Sequence, residues 1–184
     1  MFCYQCQEAA KGTGCEVKGV CGKTPEVANL QDLLIYTVKG ISDIVVKGGM
    51  KPEDLGDINE VVLDSLFKTI TNANFDAEAI KKQIRKNIEI RDELAQKVTA
   101  NLHDAATFTV STDEDMEAKA ETCGVLSTEN EDVRSLRELI IYGMKGLAAY
   151  THHAYNLGKE DNDIYAFVYE GMAATLDDTL SADD

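Results

Sequence analysis

The chain has 184 residues, 44% of them apolar, which is enough for one domain or two small ones with a proper core. Its formal net charge of −15 excludes nucleic acid and anionic membrane surfaces as default partners, because their phosphates repel so acidic a protein. No apolar stretch reaches the roughly 20 residues of a membrane span, and the start Met1-Phe2-Cys3-Tyr4-Gln5-Cys6 has neither a basic head nor an apolar signal run. A cytoplasmic location is expected, where thiols stay reduced and grouped cysteines bind metal more often than they pair.

Residues 1–24 differ from the rest. They hold four of the five cysteines and four glycines (Gly12, Gly14, Gly19, Gly22), and show no helical or alternating periodicity. They read as a loop wrapped on something other than its own apolar core. Three lysines (Lys11, Lys18, Lys23) against two glutamates (Glu8, Glu16) give this loop a net +1, leaving −16 for the remainder.

The rest reads as helices. Thr24-Pro25 supplies a capping hydroxyl and a proline at the first helical position. Val27, Leu30, Leu33, Leu34, Val38, Ile41 and Val45 follow at helical spacing, and Gly48-Gly49 ends the run. Asp57 with Glu60 resembles a capping box for a second helix bearing Val61, Val62, Leu66, Phe67 and Ile70. Asp76 starts a third helix, with Ile80, Ile84, Ile88, Leu94, Val98 and Leu102 on one face and His103 at its end. A short helix is expected near Asp113–Thr122, a strong one over Asp132–Asn156 and a last one over Asp163–Leu176. The predicted fold is all-α.

An internal repeat organises these helices. Leu30-Gln-Asp-Leu-Leu-Ile-Tyr-Thr-Val-Lys-Gly-Ile matches Leu136-Arg-Glu-Leu-Ile-Ile-Tyr-Gly-Met-Lys-Gly-Leu, an offset of 106 residues, and the same offset carries Asp57-Ile58 onto Asp163-Ile164. The expected layout is a cysteine loop (1–24), a three-helix bundle (25–104), a connector (105–130) and a second bundle (131–184). That second bundle has two helices, and Ser181-Ala-Asp-Asp looks like the cap of a third. Two antiparallel helices leave an apolar face uncovered, so further chain or a second chain is expected to cover it. The repeated Tyr36, Lys39, Tyr142 and Lys145 are explained by packing and solvated charge.

The cysteines are spaced Cys3-x2-Cys6-x8-Cys15-x5-Cys21. A Cys-x2-Cys pair lets two thiolates reach one metal from a single turn, and two more complete a four-sulfur set for an iron–sulfur cluster or for zinc. Soft thiolate selects those over hard cations. Only one Cys-x2-Cys knuckle is present where zinc ribbons use two, and the glycines let backbone N–H groups approach sulfide, so a cluster is favoured over zinc and over disulfides. The locally positive loop suits an anionic cluster. Cys123 reads as a structural or incidental free thiol, since a buried cysteine behaves as a small apolar residue. His152 and His153 are adjacent on a helix and point to different faces, a poor pair of ligands.

Several segments resemble one known family. Met1-Phe2-Cys3-Tyr4-Gln5-Cys6-Gln7-Glu8, Gly14-Cys15, Lys18-Gly19-Val20-Cys21-Gly22-Lys23, Pro25-Glu26-Val27-Ala28-Asn29-Leu30-Gln31-Asp32-Leu33-Leu34 and Ser135–Gly143 resemble the hybrid cluster protein family, also called prismane protein or hydroxylamine reductase. The resemblance covers essentially the whole chain. It implies two helical bundles and a [4Fe-4S] cluster on Cys3, Cys6, Cys15 and Cys21, fed by an electron-donor redox protein. It also implies two further α/β domains with a hybrid iron–sulfur–oxygen cluster, where hydroxylamine becomes ammonia and water. Nitric oxide reduction and nitrosative stress are associated with the family, and nickel carbon monoxide dehydrogenases share its architecture. The hybrid cluster needs more cysteines, histidine and glutamate from the missing domains. After Cys21 only Cys123 remains, so this chain cannot build it and is expected not to turn over alone. The alternatives are a stand-alone four-thiolate module for zinc or redox sensing, and a purely structural helical partner.

Overall fold

The computed structural model describes residues 1–184. It contains α-helices, short 3-10 turns and one isolated antiparallel bridge, so the all-α expectation holds. The six helices are α1 (Pro25–Lys47), α2 (Asp57–Lys68), α3 (Ala77–Ala95), α4 (Asp113–Ala120), α5 (Glu131–Asn156) and α6 (Asn162–Ala174). None is long and apolar enough to cross a membrane.

Local chemistry fixes most helix starts. The Thr24 hydroxyl accepts from Val27 N–H, with Pro25 opening α1. The Asp76 carboxylate accepts from Ala79 N–H. Thr112 and Asp115 form a full capping box on α4. Three starts differ from the sequence reading by one residue. Asp57 is the first helical residue and makes no cap, because Gly56 at φ 53° occupies the capping position. Asn130 caps α5 and Asp161 caps α6, each accepting from backbone N–H groups just downstream.

Helix α3 stops at Ala95, so Val98 and Leu102 are not on its face. They pack against the main core from the segment that follows. His103 therefore does not end α3. It caps the turn Asp104–Ala106, its Nδ1 accepting from Ala105 N–H at 3.0 Å.

The core explains the arrangement. Eighteen buried apolar residues form one cluster drawing on α1, α2, α5 and α6, so both repeat halves share it. Helix α1 packs chiefly on α3 and α6, while α5 packs chiefly on α2. The equivalent helices thus exchange partners across the repeat. Helix α3 is tied to α1 and α2 by a buried polar network: Asn87 Nδ2 donates to Thr37 Oγ1 at 2.9 Å and to Ser65 Oγ at 3.1 Å, and Gln83 Nε2 donates to Asn87 Oδ1 at 3.0 Å. Buried polar groups satisfied in this way fix one packing rather than many.

The repeat also exposes what α3 does. Leu30, Leu33 and Leu34 of α1 are 1%, 0% and 0% exposed in a cluster with Ile80 and Ile84 of α3. Their equivalents on α5, Leu136, Leu139 and Ile140, are 40%, 66% and 37% exposed. No helix in the chain buries that face of α5 as α3 buries its counterpart on α1.

Candidate metal centre

The first 24 residues wrap against the start of α1. Cys3 and Cys15 are opposite one another in the isolated bridge: Cys3 N–H donates to Cys15 O at 3.1 Å and Cys15 N–H to Cys3 O at 2.9 Å. Cys6 opens a tight turn closed by Ala9 N–H on Cys6 O at 3.1 Å. Cys21 sits on a small loop closed by Gly19 N–H on Lys23 O at 2.9 Å and Gly22 N–H on Gly19 O at 2.8 Å. A Cβ on Gly19 would lie 3.1 Å from Cys21 Sγ, so glycine lets that sulfur lie against the backbone.

All four thiols are free. Cys15 is buried, Cys3 and Cys6 are half-buried and Cys21 is exposed. Two sulfurs already face N–H donors: Ala10 N–H donates to Cys15 Sγ at 3.4 Å, and Lys23 Nζ lies 4.0 Å from Cys3 Sγ. Such donors stabilise sulfur that carries negative charge. No three of the sulfurs lie within 4.8 Å of one another. A closed tetrahedral zinc site, with Zn–S about 2.3 Å, sets them about 3.8 Å apart. Four soft thiolates with N–H donors facing two of them are the kind of donor set an iron–sulfur cluster uses.

Behind the loop lies an array of charge in which Lys145 is buried and Asp32, Lys39 and Glu138 are half-buried, although the sequence reading took the repeat lysines as solvated. Lys145 is only 4% exposed and donates to Thr69 O at 3.4 Å. Burial lowers its pKa to about 8, against the pull of Asp32 and Glu138. Burial raises Asp32 to about 7, with Lys145 opposing. Burial also lowers Lys39 and raises Glu138. Asp32 and Glu138, like Lys39 and Lys145, are equivalent positions of the repeat. Asp32, Lys39, Arg137, Glu138 and Cys123 line a cavity of about 610 Å³ between α1, α5 and the connector. Burial pushes the Cys123 thiol up to about 12, which keeps it protonated and inert.

The structure brings one more set of ligand-type groups together. Glu60, Asp64 and His152 place donor atoms within 4.8 Å of one another, though His152 and His153 alone are a poor pair. Lys68 already pairs with Asp64 and donates to Gln83 Oε1 at 2.7 Å, so one of the two carboxylates is neutralised. This set serves the α2–α5 contact.

Sequence reasoning counted Lys23 with Lys11 and Lys18 in a positive loop and missed that it alone is buried, and it missed its partner Gln31. Gln31 offered a signal, being a polar side chain one residue past Leu30 on the apolar face of α1.

The model of the Prismane/CO dehydrogenase family matches residues 1–183. The hydroxylamine reductase of Acetivibrio thermocellus is 63% identical over 185 residues, covering 100% of this chain and 34% of that protein. The hydroxylamine reductases of Desulfitobacterium hafniense DCB-2 and Clostridium perfringens are 54% and 48% identical, each covering 100% of this chain and 35% of their own length. The chain thus spans about a third of the length of these curated relatives. With its cysteine loop and helical frame, it belongs to the Prismane/CO dehydrogenase family and corresponds to the N-terminal part of longer proteins.

Proposed function

We propose that this chain is the electron-receiving part of a hydroxylamine-reducing protein, with one [4Fe-4S] cluster held by Cys3, Cys6, Cys15 and Cys21. The observation that carries the reading is the loop itself: four free thiols on a backbone closed by reciprocal hydrogen bonds, with N–H donors facing two of the sulfurs. A bound cluster of this kind takes up and releases one electron at a time. The chain's residues hold and shield it. Cys15 anchors the buried side, and exposed Cys21 leaves a face open to a redox protein that delivers electrons. In the whole protein, two electrons and two protons convert hydroxylamine to ammonia and water in domains beyond these helices. The open face of α5 at Leu136, Leu139 and Ile140 then takes a helix equivalent to α3 from the same full-length protein.

The test is anaerobic reconstitution of the chain with iron and sulfide. The expected product is brown, holds four irons and four sulfides, bleaches with dithionite and decays in air. Serine at Cys3, Cys6, Cys15 or Cys21 lowers the iron content, and Cys123→Ser leaves it intact. A colourless protein with one zinc overturns the reading in favour of a stand-alone zinc or redox-sensing module. Unchanged iron in Cys3→Ser and Cys15→Ser overturns the ligand assignment. Hydroxylamine turnover is expected from the full-length protein and not from this chain alone.

A further inference from the structure

We propose that the buried ammonium of Lys23, held against Cys3 Sγ by Gln31, sets how readily the thiolate centre accepts an electron. This rests on the cluster reading above.

Of the three lysines in the loop, Lys11 and Lys18 are exposed and Lys23 is 1% exposed. Its Nζ donates to Gln31 Oε1 at 2.6 Å and lies 4.0 Å from Cys3 Sγ. Gln31 is held in turn, its Nε2 donating to Asn74 O at 2.9 Å. The ammonium is therefore held by Gln31 of α1, and Gln31 is itself fixed by the turn between α2 and α3. The Phe75 ring lies 5.9 Å away and closes the apolar side. Lys23 makes no ion pair with any carboxylate, although Asp32 and Lys145 both feel its charge. A buried cation is tolerated when an anion offsets its lost hydration. At 4.0 Å the sulfur of Cys3 lies closer to the ammonium than any carboxylate does, and that sulfur is anionic when bound to iron.

The consequence follows from electrostatics. One electron leaves a one-electron donor of the flavin or iron–sulfur class, and the donor is oxidised by one. The centre passes from [4Fe-4S]2+ to [4Fe-4S]1+, and no covalent bond forms or breaks. The added electron makes the cluster and its four thiolates more negative. A fixed positive charge beside Cys3 stabilises that reduced state more than the oxidised one. Burial keeps the local dielectric low and excludes counterions, so salt does not screen the effect. Gln31 is a positioning residue: it holds the ammonium where this difference is large.

The experiment is a mediated redox titration of the reconstituted chain, followed by electron paramagnetic resonance at low and high salt. Lys23→Met is expected to shift the reduction equilibrium at least tenfold toward the oxidised form, about 59 mV for one electron. Lys23→Arg stays within threefold of the parent. Lys18→Met removes an exposed charge from the same loop, and its smaller shift vanishes in salt. A Lys23→Met midpoint equal to the parent, at full iron content, overturns the proposal. So does a shift no larger than that of Lys18→Met. Lys23→Gln repeats the test with a polar side chain. If both neutral variants fail to load iron while Lys23→Arg loads normally, the charge serves assembly rather than the reduction equilibrium, and the proposal falls. If all three fail, the role is packing and the proposal falls. A parent chain that binds no cluster refutes the earlier reading instead, which separates the two failures.

Discussion

Alanine at Gly40 and at Gly146 should have opposite effects, although both glycines occupy the same place in the repeat. Each follows a lysine in the middle of a long helix. Helix propensity alone favours alanine at both by roughly 0.5–1 kcal/mol. Packing separates them. A Cβ on Gly40 would lie 2.1 Å from Ala105 O and 2.6 Å from Ala105 C, while one on Gly146 would meet nothing within 4 Å. Ala105 cannot easily retreat. It is fully buried, and its carbonyl accepts from the buried Arg91 guanidinium at 3.3 Å. Arg91 also donates to Phe108 O at 2.6 Å and stacks on the Phe108 ring at 4.5 Å. Overpacking of this kind costs about 1–3 kcal/mol. Backbone overlap places Gly40→Ala at the upper end, so the net loss is about 2 kcal/mol. Gly146→Ala should gain about 0.5–1 kcal/mol. At this chain length 1 kcal/mol moves Tm by about 2–4 °C. Gly40→Ala should therefore melt about 4–8 °C lower, and Gly146→Ala a few degrees higher. Urea unfolding followed by circular dichroism on the metal-free chain provides the check. A Gly40→Ala variant as stable as the parent would show that the turn at Ala105 yields freely, and the packing account would be wrong.

Two further outcomes follow from the buried charges. Asp32 is raised to about 7, by burial first and by Glu138 in addition, against Lys145, Lys23 and Lys39. The unfolded carboxyl titrates near 3.8. The folded protein thus keeps a proton that the unfolded chain has lost. This contribution to stability is full below about pH 4 and disappears as pH rises through about 7, with a slope of up to about 1.4 kcal/mol per pH unit. Between pH 5 and 7 the parent should lose stability relative to Asp32→Asn; parallel pH profiles would refute this. The second concerns Cys123. Its thiol, pushed up to about 12 by burial with Asp32 adding to the shift, should resist iodoacetamide at pH 8 in the cluster-free chain. Exposed Cys21 should be alkylated first, as read by peptide mass spectrometry.

Much of this protein is decided by neighbours in the chain. Thr24-Pro25 and Asp76 start helices because their side chains reach N–H groups two or three residues away, so short-range chemistry suffices. The four-cysteine spacing is equally local. The repeat names equivalent residues because duplication leaves a copy that can be aligned. Tertiary structure decides how those copies are used. The α1 and α5 segments read alike, yet α3 covers Leu33 and nothing in the chain covers Leu139. Lys11, Lys18 and Lys23 are the same residue type in one short loop, and only the fold carries Lys23 under Phe75 to Gln31 and Cys3. Burial and partner choice depend on surfaces that meet across 40 to 110 residues of chain, as Gln31 with Asn74 and Asn59 with Tyr169 do. No window along the sequence contains both sides of such a contact.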